Sequence, residues 1–361
     1  MAILATIKIL PDLRRLFQYL TFALAAAALL ASCSKRESID PIKPVAKRTV
    51  LFLTGVGAIY DLNHELVIEL PHCTYANQII ADGADYFVSG FHDQEKVGYW
   101  KNGKWNTLHV DFIEDVDHTI NGMAKWEYYI YLLDHPNVLK NSGIYRLEDG
   151  ERFLSAPQAL AVTDGKCFVV GSKRTDDSGG NYLPVVYTEQ HGVYIPEQLP
   201  LPDGAVAGDC TCVYAGGTDH CVIGGYADGW PVIWADKVLQ ILPLSYPPEA
   251  KEPYEMLGEV SSITECNGII YAAGNEPTPT MRSVATVWSE GKIRHLVYSP
   301  SEATESEVLE IKSYGSDVYV LTLEYSTDSA TGDFVTTTVL WMNNAVVKAY
   351  RGFTAASFAV L

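Results

Sequence analysis

Residues 86–103 contain two short phrases, Tyr86-Phe-Val-Ser-Gly90 and, after a polar gap, Tyr99-Trp-Lys-Asn-Gly103. An apolar strand ends at a glycine, and an aromatic residue then sits just before a tight turn. The same pair recurs downstream. Cys167-Phe-Val-Val-Gly171 leads to Val186-Tyr187 and His191-Gly192, and Cys221-Val-Ile-Gly-Gly225 leads to Trp234 and Ala235-Asp236. Ile270-Tyr-Ala-Ala-Gly274 leads to Trp288 and Glu290-Gly291. β-Branched and aromatic runs bounded by Asn-Gly or Asp-Gly pairs read as hairpin strands, because such pairs accept the positive φ of two-residue turns. Self-similarity at a period of roughly 40 to 50 residues, built only from strands, points to a repeat architecture.

Each repeat reads as four antiparallel strands, A to D, with A innermost. The A–B turns fall at Asp82-Gly83, Asp164-Gly165, Gly216-Gly217 and Asn267-Gly268. The C–D turns fall at Asn63-His64, Asn102-Gly103, Asp149-Gly150, His191-Gly192, Ala235-Asp236, Glu290-Gly291 and Asn343-Asn344, which gives seven repeats. The aromatics ahead of them are Tyr60, Trp100, Tyr145, Tyr187, Trp234, Trp288 and Trp341, whose flat side chains suit the space between sheets. Val50–Leu70 supplies strands B, C and D with no strand A before them. Phe353–Leu361 is an A-like strand with nothing after it. Joining the two removes two sheet edges at once and closes a ring. The pattern resembles seven-bladed β-propellers over residues 49–361. The expected fold is all-β: four-stranded antiparallel blades, closed by pairing the C-terminal strand with the N-terminal blade. The blades fit no subfamily, since the Gly224-Gly225 doublet that resembles kelch repeats is not repeated and no Trp-Asp dipeptide ends a blade.

The N-terminus speaks to location. Lys8, Arg14 and Arg15 precede an apolar, alanine-rich run, Leu20–Ala31, that is too short to span a bilayer and reads as an export signal. It ends in Leu30-Ala31-Ser32-Cys33, which resembles the lipobox of bacterial lipoproteins. That resemblance implies a signal peptide at 1–32, lipidation of Cys33, and membrane attachment through the lipid. The expected location is the cell envelope of a Gram-negative-type bacterium, on the outer membrane, with the facing side left open. Residues 33–48 are polar, with Pro41 and Pro44, and have the composition of a flexible tether. Residues 49–361 form the propeller domain. Removing Lys8, Arg14, Arg15 and Asp12 from 26 basic and 44 acidic side chains leaves 23 and 43, a formal charge of −20. Such a surface repels nucleic acid and disfavours broad docking on anionic lipid.

Loop lengths locate the function. A–B and C–D turns share one face and are tight; B–C and D–A connections share the other and several are long, which is where binding usually lives. The candidate ligand-binding residues there are Phe91, His92, His118, His135, Tyr182, Tyr226, Trp230 and Tyr254. Tyrosine and tryptophan rings stack on sugars or peptides while nearby carboxylates accept hydroxyl or amine protons. His92, His118 and His135 are the imidazoles that convergence could turn into a metal ligand set or a general base. The spacing itself calls for no metal and no cofactor. No nucleophile elbow, phosphate loop or His-Glu-x-x-His motif occurs, so no catalytic residue is assigned. Of the six cysteines after Cys33, Cys167 and Cys221 begin B strands and read as small core residues; free thiols are expected for the six, with a disulfide framework as the alternative. The sequence therefore favours an envelope lipoprotein that binds a glycan, peptide or protein. The alternative is an envelope polysaccharide lyase or hydrolase with acids or histidine in the central channel. Oligomeric state is left open.

Overall fold

The structure, a computed structural model, describes residues 49–361 except 94–95, 109–119, 135–136, 142, 148–154, 176–180, 191–192, 218, 248–256, 300 and 329–330. The described residues fall in one compact unit, Pro44–Leu361. They form seven antiparallel sheets of four strands each, the order within six of them following the chain. This is a seven-bladed β-propeller. Ser357–Val360 pairs antiparallel with Val50–Leu53, Val360 opposite Val50 and Ser357 opposite Leu53, so the last strand is the innermost strand of the first blade. The closing strand is shorter than the expected Phe353–Leu361, and Phe353 instead packs among Phe52, Tyr60, His64 and Tyr350.

Two turns differ from expectation. In the third blade, strand C is Asn137–Lys140 and strand D is Gly143–Arg146, so the C–D turn lies at Asn141 (φ 50°) and Tyr145 belongs to strand D. Asp149-Gly150 lies outside the described residues. In the fifth blade, strand A runs to Gly217 and strand B starts at His220, so Gly216-Gly217 belongs to the strand. Both errors arise because Gly and Asx pairs suit bulges and strand ends as well as turns.

The repeated glycine has a steric cause. Six of the seven A strands carry one extra residue against strand B: Asn77, Asn121, Gln158, Thr211, Ser261 and Leu309 sit at the register shifts. A bulge of this kind drives the A-strand backbone onto its partner. A Cβ at Gly90 would lie 2.1 Å from the Tyr75 carbonyl oxygen, at Gly225 2.0 Å from that of Asp209, and at Gly274 1.9 Å from that of Glu259. Side chains at the bulge then reach the next blade. Asn77 Nδ2 donates to the Ile120 carbonyl at 2.8 Å, Asn121 Nδ2 to that of Pro157 at 2.7 Å, and Thr211 Oγ1 to that of Val260.

The ring closes through a polar knot. Ser357 Oγ donates to Glu310 Oε2 (2.7 Å) and accepts from the Ile79 amide (3.2 Å). Lys312 Nζ lies 2.8 Å from Glu310 Oε1 and donates to the carbonyls of Ile79 (2.9 Å) and Phe358. The knot thus ties blades 7, 1 and 2. The core sits between blades, where Trp100, Trp234, Trp288 and Tyr187 are fully buried, as aromatic residues ahead of C–D turns were expected to be. The six cysteines among the described residues are free thiols, five of them buried.

Candidate functional site

The seven inner strands enclose a central channel of about 620 Å³. Its described charged lining residues are Glu310 and Lys312, and both belong to the knot that closes the ring. Most of the lining amides and hydroxyls named above are likewise engaged between blades. Reactive groups must therefore be sought at the rim, on the face of the long connections.

There, three successive blades place an acid at one equivalent position. Asp209, Glu259 and Glu307 each directly precede the residue paired with the crowded B-strand position: Cys210 opposite Gly225, Val260 opposite Gly274, Val308 opposite Thr322. All three carboxylates are half-buried. Burial pushes the Asp209 carboxyl up to about 6, the negative charge of Glu259 adds to the rise, and the Ser172 hydroxyl opposes it. Tyr226 pairs with Asp209 across the sheet, and its hydroxyl is raised by burial and by the neighbouring charges of Asp209 and Glu259. The Tyr325 hydroxyl donates to Glu307 and is likewise raised, first by burial and then by that contact. Tyr182 is 42 % exposed, with the Arg174 guanidinium 5.5 Å from its ring centre. The arc offers three carboxylates, one of them with a raised pKa, beside stacking rings.

Tyr182 and Tyr226 are thus brought together at this rim. Phe91 and His92 end strand B of the second blade, with His92 stacked 4.9 Å from Trp105 and Phe91 6.3 Å from Tyr75. Trp230 opens strand C of the fifth blade, half-buried on the same face. His118, His135, Tyr254 and Cys33 lie outside the described residues. The acids of the arc escaped the sequence reading, although superposing repeats exposes them: Gly208-Asp-Cys-Thr-Cys212, Gly258-Glu-Val-Ser-Ser262 and Ser306-Glu-Val-Leu-Glu310 align.

The long connections are pinned from beneath. Trp234 Nε1 donates to the Pro200 carbonyl (2.7 Å) and Trp288 Nε1 to that of Pro243 (2.8 Å). Glu276, 1 % exposed, accepts from the Ser245 amide (3.0 Å) and hydroxyl (2.8 Å) and meets His295 Nε2 at 2.6 Å. Ser245, His295 and Glu276 do not form a nucleophilic relay. The serine and the carboxylate both contact the same imidazole nitrogen, Nε2, so the ring cannot pass a proton from one to the other. Glu324, buried, holds the amides of Tyr298 and Ser299 in the same manner, which marks the motif as a loop anchor.

No family model matches the chain, and no curated protein does. Among solved structures it is similar to the extracellular domain of a proposed one-component system from B. thetaiotaomicron, with TM-score 0.47 and 11% identity over 84% of this chain and 46% of that one. It is also similar to a Mycobacterium tuberculosis puromycin-hydrolyzing peptidase, with TM-score 0.48 and 12% identity over 82% of this chain and 54% of that one. A mutant of AofleA from Arthrobotrys oligospora gives 0.42 and 10%, over 88% and 93%. The chain spans about half the length of the first two. At such values the propeller assignment rests on the chain's own strand order.

Proposed function

We propose that the chain is a lipid-anchored envelope lipoprotein whose propeller is a binding or scaffold module, taking a glycan, peptide or protein on its long-loop face. The acidic arc of Asp209, Glu259 and Glu307, with Tyr182, Tyr226 and Tyr325 beside it, carries the binding reading. Carboxylates accept hydroxyl or amine protons, rings supply stacking area, and a pinned rim limits the ordering entropy that binding costs. Leu30-Ala31-Ser32-Cys33 after a short apolar run supports the anchor. A formal charge of −20 outside the signal supports attachment by lipid rather than by a basic surface.

Glycan and peptide arrays with the purified chain test the reading. Tyr226→Ala should weaken a hit by about 1 kcal/mol or more, through lost stacking. Lys237→Asn and Glu290→Asn, in C–D turns on the opposite face, should leave it unchanged. If the turn variants lose the ligand while Tyr226→Ala retains it, the binding face is the other one.

A polysaccharide hydrolase or lyase is the second reading, favoured by Asp209 beside Glu259. A carboxyl pushed up to about 6 with a second carboxylate close by is the kind of pairing that glycoside cleavage uses. Release of reducing or unsaturated sugar ends from envelope polysaccharide, abolished in Asp209→Asn and in Glu259→Gln, would establish it. Binding without release would dismiss it.

A further inference from the structure

The second blade carries a cluster outside the acidic arc. His72, in the connection from the first blade, His92, at the end of strand B, and Asp93, in the turn that follows, bring one ligand atom each within 4.8 Å of one another. The Asp93 carboxylate stands between the imidazoles. Its Oδ1 lies 3.0 Å from His72 Nδ1 and its Oδ2 3.0 Å from His92 Nδ1. The two rings are 4.9 Å apart.

An ordinary account would have Asp93 accept a hydrogen bond from each histidine. It serves for His72 alone. His92 Nδ1 is buried and stands 3.0 Å from Oδ2 without good alignment for donation. Two imidazole nitrogens that converge on one carboxylate at such distances are also placed as ligands of one ion are. Ligand atoms on a common centre about 2.0–2.1 Å away stand roughly 3 Å or slightly more apart. The surroundings fix the set. Trp105 stacks on the His92 ring at an interplanar angle of 30°, and the Asp93 amide donates to the His72 carbonyl at 3.0 Å, locking the two connections together.

We propose that His72, His92 and Asp93 bind a divalent transition ion of the zinc class on the long-loop face of the second blade. Two imidazoles and one carboxylate suit such an ion and disfavour Ca²⁺ or Mg²⁺, which prefer all-oxygen shells. Three protein ligands leave a fourth position for water or for a group of the bound partner.

The test uses the purified full chain, stripped with a chelator and equilibrated with Zn²⁺, and separately with Co²⁺ for its visible absorption. The expected result is one ion per chain and an absorption spectrum of low-symmetry Co²⁺. His72→Asn and Asp93→Asn should each weaken binding at least about tenfold, the loss that even outer-shell substitutions cause. Asparagine is chosen because both positions have left-handed φ, 55° and 53°, which it tolerates. Their thermal melts without metal should match the unsubstituted chain, separating lost ligation from lost fold. His220→Asn, at a histidine that contacts Asp236 and Glu265 on the tight-turn face, should bind the ion normally. Absence of binding, or binding that survives both His72→Asn and Asp93→Asn, overturns the site. Loss in His220→Asn alone moves it to the other face.

Discussion

At the scale of single residues, the crowded glycine of strand B and the acid of the neighbouring strand A have opposite effects. Gly274 is required because a Cβ there meets a backbone carbonyl that cannot move aside. Gly274→Ala should cost about 2–3 kcal/mol in denaturant melts, in the range of core overpacking. Gly55 looks alike in sequence but has nothing within 4 Å, so Gly55→Ala should change stability by less than about 0.5 kcal/mol. Equal losses at both positions would refute the steric account. Asp209 acts through its proton. Its folded value, about 6, lies above the ordinary 3.8, so the fold favours the protonated form. The penalty is absent below the unfolded value, develops as pH rises from about 4 to 6, and persists above that. Discounted for partial exposure, it is on the order of 2 kcal/mol at pH 7. Asp209→Asn should therefore be the more stable protein at pH 7 and equal to the parent near pH 3. A variant less stable at pH 7 would mean that the carboxylate is paired in the fold.

At the scale of elements, the closing strand and the pinned connections decide rigidity. Ser357 serves as donor to Glu310 and acceptor from the Ile79 amide, so Ser357→Ala leaves a buried donor unmatched and should cost about 1–2 kcal/mol. Deleting residues 353–361 exposes the inner edge of the first blade and the flank of the second, and should abolish the cooperative melt. An unchanged midpoint would show that the strand is dispensable. Two turn residues are structural: His64 packs 4.7 Å from Phe353, and Asn343 Oδ1 accepts from the Val318 amide at 2.9 Å. On the face of the long connections, Glu276→Ala removes the anchor of the Ser245 segment. Amide exchange there should quicken while the blade strands keep their protection. Uniformly faster exchange would make Glu276 a core residue rather than a loop anchor.

At the scale of the whole molecule, the expected polarity is a lipid at one end of the chain, a tether, and a ring whose long connections face a ligand. Metabolic labelling with a palmitate analogue should mark the parent chain and spare Cys33→Ala. Equal labelling of both would remove the anchor from the reading. The ring suits this use because each blade packs only on its neighbours, so a wide, stiff rim is built without one deep core.

The sequence by itself determined the blade count, the ring closure and the face of the long connections. Those properties depend on local signals at fixed spacing: turn pairs, strand runs and, in several blades, a glycine where a bulge crowds the backbone. It misplaced the turn of the third blade because strands of four residues leave little pattern between Asn141 and Asp149. Only the tertiary structure assembled the acidic arc and the His72–His92–Asp93 cluster. Asp209, Glu259 and Glu307 are about 50 residues apart along the chain, the length of one repeat, and share a face because successive blades repeat one position around an axis. His72 meets His92 because antiparallel pairing folds the chain back on itself. Spacing along the chain encodes each blade, while proximity between blades arises from the closure of the ring.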